Sequence, residues 1–421
     1  MSSGIRHGCM GSTSIFKLVT YEIMQDLEKL DKGYKDDNFN ITSLFFADNG
    51  MLLASSIEDA EKVIEQVIKT GRENGLEINK GKCEIIIFNM KQKPKEIAGI
   101  EVKNKTKYLG VTINDAKNLF KVQKPCMIKK ATKMSNITYS IVARSCARLM
   151  IGKVYWKSIA LPMILYGANV INFTQEDIQK LQRIENSVGR KIMGAPSYTQ
   201  ETALRGEIGI SSMKSRIMEG QLKYLQHILR GESNRLLERV VEEMRNDKKK
   251  NKWMGGLIED RKRVGIRGID ISKQEISEKV KKWDKEKWRN DMQEKESLKI
   301  YRQFKTDLGG MENIYDNSEA SVILFKCRTN NMNLGDRKRF INQSTECVMC
   351  GHEKEDLTHF LLYCDGYSEE RAKNTVLQRP YIENEENLIG QLLFENSVLE
   401  QSKLTIYKFW QIRDKKIKSL A

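Results

Sequence analysis

The chain is poor in proline and histidine, with five Pro and four His in 421 residues. It also lacks any long apolar run. The nearest approach, around Ile159–Ile171, is interrupted by Pro162, Gly167 and Asn169 and is too short to span a bilayer. The opening Met-Ser-Ser-Gly-Ile-Arg-His-Gly has no apolar core and does not read as a signal peptide. Eight scattered Cys in so long a chain do not make a disulfide scaffold, so a reducing compartment, nuclear or cytoplasmic, is expected. There is no Walker loop, no Ser/His/Asp order, no glycine-rich dinucleotide fingerprint and no endonuclease signature. Nucleotide hydrolysis on a P-loop, serine hydrolysis and dinucleotide-dependent redox chemistry are therefore not expected.

What is abundant is positive charge. Seventy-two Lys and Arg against 56 Asp and Glu give +16 and a pI near 9.3, with 40% hydrophobic residues and a mean hydropathy of −0.53. A field of that sign favours polyanions, most simply nucleic acid. Residues 245–305 hold 20 basic and 11 acidic residues, so they carry +9 of the total, interleaved with Trp253, Trp283, Trp288 and Tyr301. Such a segment can neutralise phosphates and stack bases. Equally, it can be a solvated helical face whose tryptophans are buried in a core.

The pattern along the chain predicts an α+β unit followed by helices. Residues 15–30 have helical spacing at Phe16, Val19, Ile23, Leu27 and Leu30, and Ser56 can cap a helix with apolar face Ala60, Val63, Ile64, Val67 and Ile68. Asn74-Gly75 suits a left-handed helix end. Glu84–Phe88 and Lys107–Ile113 read as short strands of an antiparallel sheet. Residues 125–240 are helical in pattern with breaks expected at Pro162, Gly167 and Ala195-Pro196. The implied division is 1–120, 121–240, a basic helical linker 241–335, a Cys/His module 336–375 and a tail 376–421.

Residues 44–54, Leu-Phe-Phe-Ala-Asp-Asn-Gly-Met-Leu-Leu-Ala, place Asp48-Asn49-Gly50 between apolar runs. Asn-Gly tolerates positive φ and predicts a tight hairpin with Asp48 exposed at its tip. There Asp48 is either a metal-binding carboxylate or an ordinary solvated turn residue. Near the other end stands Cys347-x2-Cys350-x8-His359-x4-Cys364. Two thiolates two apart, then an imidazole and a thiolate, can close a tetrahedral Zn²⁺ site of structural type. The alternative is four unrelated loop side chains. His352 could compete with His359 but directly follows Cys350-Gly351.

Three more segments convert the Asp48 hairpin into a resemblance. Arg6-His7-Gly8-Cys9-Met10-Gly11-Ser12 resembles the Arg-Gln-Gly-Cys-Pro-x-Ser segment of reverse transcriptases, and Phe46-Ala47-Asp48-Asn49 resembles their Phe/Tyr-Ala-Asp-Asp hairpin. Gly75-Leu76-Glu77-Ile78-Asn79 with Lys82 looks like the following palm motif, and Tyr108-Leu109-Gly110-Val111 resembles the primer grip. Order and spacing match those of non-LTR, LINE-type retrotransposon enzymes. The helical stretches Leu161–Gly167 and Leu181–Gly194 resemble their thumb, and the Cys/His spacing resembles their terminal zinc knuckle.

The resemblance implies a partial palm, a helical thumb and linker, and a small CCHC module, with RNA-directed DNA polymerase ancestry. It implies RNA template, DNA primer or target and deoxynucleoside triphosphates as partners, without a membrane. Two Mg²⁺ (or Mn²⁺) ions would be held by aspartates, with Asp48 as the surviving ligand. Arg6, Gly8 and Lys82 would touch nucleotide or template, and Tyr108, Leu109 and Gly110 would form the primer grip; Lys82 can equally be a surface lysine. Two departures stand out. The second hairpin position is the neutral Asn49, and no upstream aspartate strand precedes Arg6. Little or no polymerisation is therefore expected, and a non-catalytic RNA- or DNA-binding role is the rival reading. Cys9 is expected as a small packing residue, and Trp156 and Tyr166 as core.

Overall fold

The computed structural model describes residues 10–36, 39–116, 118–230, 235–246, 251–268, 271–338, 344–378 and 384–420. The chain divides into two compact units, residues 1–126 and 127–421.

In the first unit, helix α1 (Met10–Leu30) is followed by three-residue strands β1 (Tyr34–Asp36) and β2 (Phe39–Ile41) and the hairpin β3 (Ser43–Phe46) and β4 (Asn49–Leu52). Helix α2 (Ile57–Glu73) begins at Ser56, whose side chain accepts from the Asp59 N–H, and its C-terminal turn leads into Gly75 at φ +74°. The short strands β5 (Glu96–Ile97), β6 (Ile100–Glu101), β7 (Lys105–Tyr108) and β8 (Val111–Asn114) follow. The helical face read from the sequence is the buried one: Val63 and Val67 of α2 meet Ile23 and Leu27 of α1. Phe45, Leu52, Leu76 and Ile78 pack on them. Thr70 Oγ1 donates to Asp26 across the helix pair (2.9 Å).

Four expectations need correction in detail. The antiparallel sheet is, among the described residues, four separate two-stranded ladders. The hairpin turn is Ala47-Asp48, with Ala47 at φ +53°, because Phe46 pairs with Asn49 and Phe45 with Gly50. Core packing sets this register. It turns Phe45 inward, and its ring crosses Gly50 so closely that a Cβ there would lie 2.7 Å from Phe45 Cε1. Residues 84–88 form no strand, only a bridge from Ile85 to Val102. Their apolar side chains pack beside Ile64, Ile97 and Ile100 without a partner strand. Residues 107–113 are two strands, not one: Leu109 (φ +45°) and Gly110 (φ +82°) are the turn between β7 and β8.

Helix α3 (Gln123–Ala143) carries the chain into the second unit. Next, α4 (Arg148–Tyr155), a π-turn (Trp156–Ala160) and α5 (Leu161–Ile164) form one continuous helical run. The expected break at Pro162 is absent. The π-turn immediately before it loosens the ladder, and Pro162 sits in the first turn of α5, where its missing N–H costs least. The run ends instead at Gly167, φ +77°. Helix α6 (Gln175–Met193) starts with a Thr174/Asp177 capping box and ends on Gly194 in the left-handed region, before Ala195-Pro196. Gly152 lets α4 approach α6; a Cβ there would lie 2.8 Å from both Ile192 and Val142.

Helices α7 (Glu201–Ile208), α8 (Met213–Leu229), α9 (Arg235–Asn246), α10 (Lys252–Arg263), α11 (Lys273–Gln293) and α12 (Lys299–Phe304) continue the bundle. After them come α13 (Glu319–Arg328) and α14 (Gly335–Lys338), the Cys/His segment, α15 (Ser368–Arg371), α16 (Glu385–Phe394) and α17 (Leu399–Leu420). One large core joins α4–α7 with α13, α16 and α17, and a second lies among α8, α10 and α11. Each fully buried Leu, Ile or Phe in them contributes about 1.5–3 kcal/mol. Several fully buried charges inside this unit are paired. Arg205 meets Asp284 (3.0 Å), which also accepts from the Ser212 N–H and hydroxyl. Glu207 accepts from Arg328 (2.9 Å), Tyr301 (2.8 Å) and Tyr315. Among the described residues no helix is long and apolar enough to cross a membrane.

Candidate functional site

Asp48 is exposed at the hairpin tip, as its position between two apolar runs predicts. Its neighbour Asn49 begins β4 and donates its amide to Asp48 Oδ1 (3.2 Å). Among the described residues, the group of three or more side chains able to hold a metal ion is the Cys/His cluster, and Asp48 is not part of one. Lys82 is exposed at the end of a one-turn 3₁₀ segment, Lys80–Lys82. Tyr108 closes β7, and Leu109-Gly110 is the tight turn after it. Arg6 and Gly8, with His7 and Cys9, lie outside the described residues. Trp156 is core, its indole donating to the buried Glu185 (3.0 Å), but Tyr166 is 54% exposed against expectation.

The Cys/His cluster is assembled. The ligand atoms of Cys347, Cys350, His359 and Cys364 all lie within 4.8 Å of one another. Cys347 Sγ and Cys364 Sγ are 3.6 Å apart, Cys364 Sγ and Cys350 Sγ 3.8 Å, and Cys350 Sγ and His359 Nε2 3.3 Å. A tetrahedral Zn²⁺ with Zn–S of about 2.3 Å and Zn–N of about 2.0 Å requires S···S edges of about 3.8 Å and S···N edges of about 3.5 Å. The donor set therefore fits zinc, and four protein ligands leave no open position.

Local backbone explains the geometry. The Gly351 N–H returns to Cys347 C=O (2.9 Å), with Gly351 at φ +76°, so both thiols face one way. A π-turn over His359–Tyr363 brings Cys364 back beside His359, with Cys364 N–H donating to His359 C=O (2.9 Å). The His359 N–H is held by Asp356 (2.9 Å), and the His352 ring stacks on His359 at 4.4 Å. Burial, followed by the charge of His352, pushes the His359 imidazole down, toward the neutral form that binds metals. Burial pushes the Cys347 and Cys364 thiols up; a bound cation opposes that shift.

The surroundings of the cluster were not legible in the sequence. Glu355, fully buried, receives two hydrogen bonds from Arg413 of α17 (2.7 and 2.6 Å) and one from the Gly335 N–H (2.8 Å). Glu355 Oε1 lies 3.9 Å from Cys347 Sγ. Arg371 donates to the carbonyls of Cys364 (2.8 Å) and Leu361 (3.2 Å). Phe360, Tyr367 and Phe409 pack ring to ring at 4.9–5.9 Å. The cluster is thus continuous with the helical core, not a detached knuckle.

The basic segment 245–305 resolves in favour of burial. Trp288 and Tyr301 are fully buried, and Trp253 and Trp283 pack on the core of α8, α10 and α11. The aromatic residues interleaved with the basic ones pack toward the cores of these helices.

Against this geometry, the sequence has two informative likenesses. Residues 1–113 match the family model described as reverse transcriptase (RNA-dependent DNA polymerase). A transposon-derived protein of Caenorhabditis elegans is 26% identical over 165 residues, covering 37% of this chain and 57% of that protein. The chain thus spans little more than half the length of that relative.

Proposed function

We propose that this chain is part of a LINE-type retrotransposon reverse transcriptase that binds RNA template and DNA primer or target, while its own nucleotidyl transfer is weak or absent. The motif order in residues 1–113, the transposon-derived relative and the +16 net charge support the lineage and the nucleic-acid partner. The thumb-like helical stretches and the CCHC spacing extend the LINE-type likeness beyond the matched residues.

The observation that carries the catalytic part is the hairpin tip. In the parent family, Mg²⁺ supplies activation of a primer 3′-hydroxyl and charge stabilisation on the departing pyrophosphate. Mg²⁺ requires octahedral oxygen ligands, usually one or two carboxylates with phosphates and water. Among the described residues Asp48 belongs to no group of three or more metal-holding side chains, and the Asn49 amide donates to one of its oxygens (3.2 Å). A neutral amide cannot offset the charge of two cations. The described donor set does not fit the pair of ions, and no catalytic step is assigned to it. If deoxynucleoside triphosphates bind, Lys82 is the proposed phosphate contact, and Tyr108, Leu109 and Gly110 the primer contact. Arg6 and Gly8 remain proposed template contacts. Zinc at Cys347, Cys350, His359 and Cys364 is proposed as structural, and the proposed compartment is nuclear or cytoplasmic.

The test is primer extension by the purified chain on a primed RNA template, with Mg²⁺ and with Mn²⁺, alongside binding of the same template. The expected result is binding that weakens steeply with salt and no extension above background. Robust incorporation overturns the catalytic reading, and salt-insensitive or absent binding overturns the nucleic-acid reading.

A further inference from the structure

Resting on the zinc reading above, we propose that Cys350 is a site of oxidative modification: a hydroperoxide attacks its sulfur first, Cys364 resolves the product as a disulfide, and the cluster gives up its zinc. The four ligands differ sharply in access. Cys364, Cys347 and His359 are buried, at 0%, 3% and 6% exposure. Cys350 is exposed. It lines an open cavity of about 540 Å³ together with Gly351, His352, Lys354 and His359. A small solute therefore reaches one sulfur of the three directly.

Exposure alone does not make a cysteine reactive, because the thiolate is the nucleophile. Cys126 and Cys146 are exposed too, but they lie outside the cluster. Among the described residues neither contacts a second thiol. Coordination to a divalent cation removes the thiol proton, so Cys350 meets solvent as a thiolate when zinc is bound. Thiolate character, access and a neighbouring resolving thiol are what oxidant-sensitive cysteines share. The resolving thiol here is Cys364, whose Sγ lies 3.8 Å from that of Cys350. Cys347 is the rival, with its Sγ 3.6 Å from Cys364. Its surroundings hold it in place. Its N–H donates to the His352 carbonyl (2.8 Å) and its own carbonyl accepts from Gly351 (2.9 Å). Glu355 Oε1, fixed by Arg413, covers its sulfur at 3.9 Å.

The hydroperoxide is the oxidant, and the steps balance. The Cys350 thiolate attacks its distal oxygen: an S–O bond forms, the O–O bond breaks, and the alcohol or water that leaves takes its proton from solvent. Cys350 is then a sulfenic acid. The Cys364 thiolate attacks that sulfur, an S–S bond forms, and hydroxide leaves and is protonated by solvent. Overall each sulfur loses one electron and the peroxide oxygens gain two. Closing the bond brings the two Sγ atoms from 3.8 Å to about 2.0 Å, and the cavity beside Cys350 gives its side chain room to turn. Cys347 and His359 are then the two ligands left. A structural zinc site needs four, so the ion dissociates.

The test treats the purified, zinc-loaded chain with hydrogen peroxide. Zinc release is followed with a metallochromic dye, and disulfides are mapped by mass spectrometry after an acid quench and alkylation. The expected first product is a Cys350–Cys364 disulfide, formed in step with zinc release, with Cys347 still open to alkylation. A dithiol reductant with added zinc should restore the starting state. Cys350→His keeps a metal-binding side chain, so it should retain zinc and release it at least about 10-fold more slowly under peroxide. Cys364→His should retain zinc as well but accumulate a sulfenic acid at Cys350, trapped by a cyclic diketone probe. Where a His variant fails to load zinc, the disulfide map of the unmodified chain decides by itself. A first disulfide between Cys347 and Cys364 or between Cys347 and Cys350 overturns the inference while leaving the zinc reading intact. So does zinc release from Cys350→His at the parental rate, or retention of zinc after Cys126 and Cys146 have been oxidised. Absence of zinc from the purified chain after zinc loading overturns the underlying reading itself.

Discussion

Zinc removal is the perturbation whose consequence the fold specifies most fully. The four ligands are not on a peripheral loop. Cys347 and Cys364 belong to the main core, and Phe360 and Tyr367 beside them pack on Phe409 of α17. The buried Glu355 clamps Arg413 on the same helix. Without a cation the three thiols and the imidazole lose their shared partner, while the core around them still excludes water. A ligand that binds only the folded state stabilises it by RT ln(1 + [L]/Kd), about 4 kcal/mol when free zinc is a thousandfold above Kd. At about 2 °C per kcal/mol for a unit of this size, chelation should lower Tm by about 8 °C. Hydrogen exchange should show lost amide protection in residues 399–420 of α17 as well as around the cluster. The assay is metal analysis of the purified chain, then calorimetry and exchange before and after a zinc chelator, with Cys350→Ser and Cys146→Ser compared. Cys146 is exposed and outside the cluster, so its variant should retain one zinc and the parental Tm. Unchanged zinc content in Cys350→Ser, or an unchanged Tm after complete demetallation, refutes the reasoning.

Two further predictions concern charges within the second unit. Glu207→Gln leaves the buried Arg328 with only the half-buried Glu312 at 2.8 Å as a carboxylate partner. It should cost about 3 kcal/mol in urea unfolding, the lower end for breaking a buried pair; a loss under about 1 kcal/mol shows that the ion pair is not structural. Asp316 is pushed up by partial burial, but hydrogen bonds from the Ser318 hydroxyl and N–H and from Lys403 outweigh this and hold its carboxyl at about 2. A carboxyl depressed on folding stabilises above its unfolded value, near 3.8, and that contribution is lost as pH falls toward 2. Asp316→Asn should therefore flatten the acid limb of the stability curve between those values and destabilise near neutrality. An acid limb identical to the parent's speaks against this role.

Local sequence determined much of the secondary structure and the chemistry of the ligands. Ser56 and the Thr174/Asp177 box mark helix starts because unpaired N–H groups need nearby acceptors, and Gly167 and Gly194 mark ends because only glycine enters the left-handed region without strain. The Cys347–Cys364 spacing was legible because metal coordination constrains short segments. Tertiary structure decided what local rules could not. It moved the hairpin turn from Asn49-Gly50 to Ala47-Asp48, because burying Phe45 outweighs turn preference. It carried a helix through Pro162 by means of a π-turn, and it turned Trp288 and Tyr301 inward. It also joined Glu355 to Arg413, 58 residues apart, a pairing with no signal in either local sequence. Sequence encodes what neighbours along the chain can satisfy among themselves; register, burial and the choice of partner for a charge depend on segments that meet only when the chain has folded.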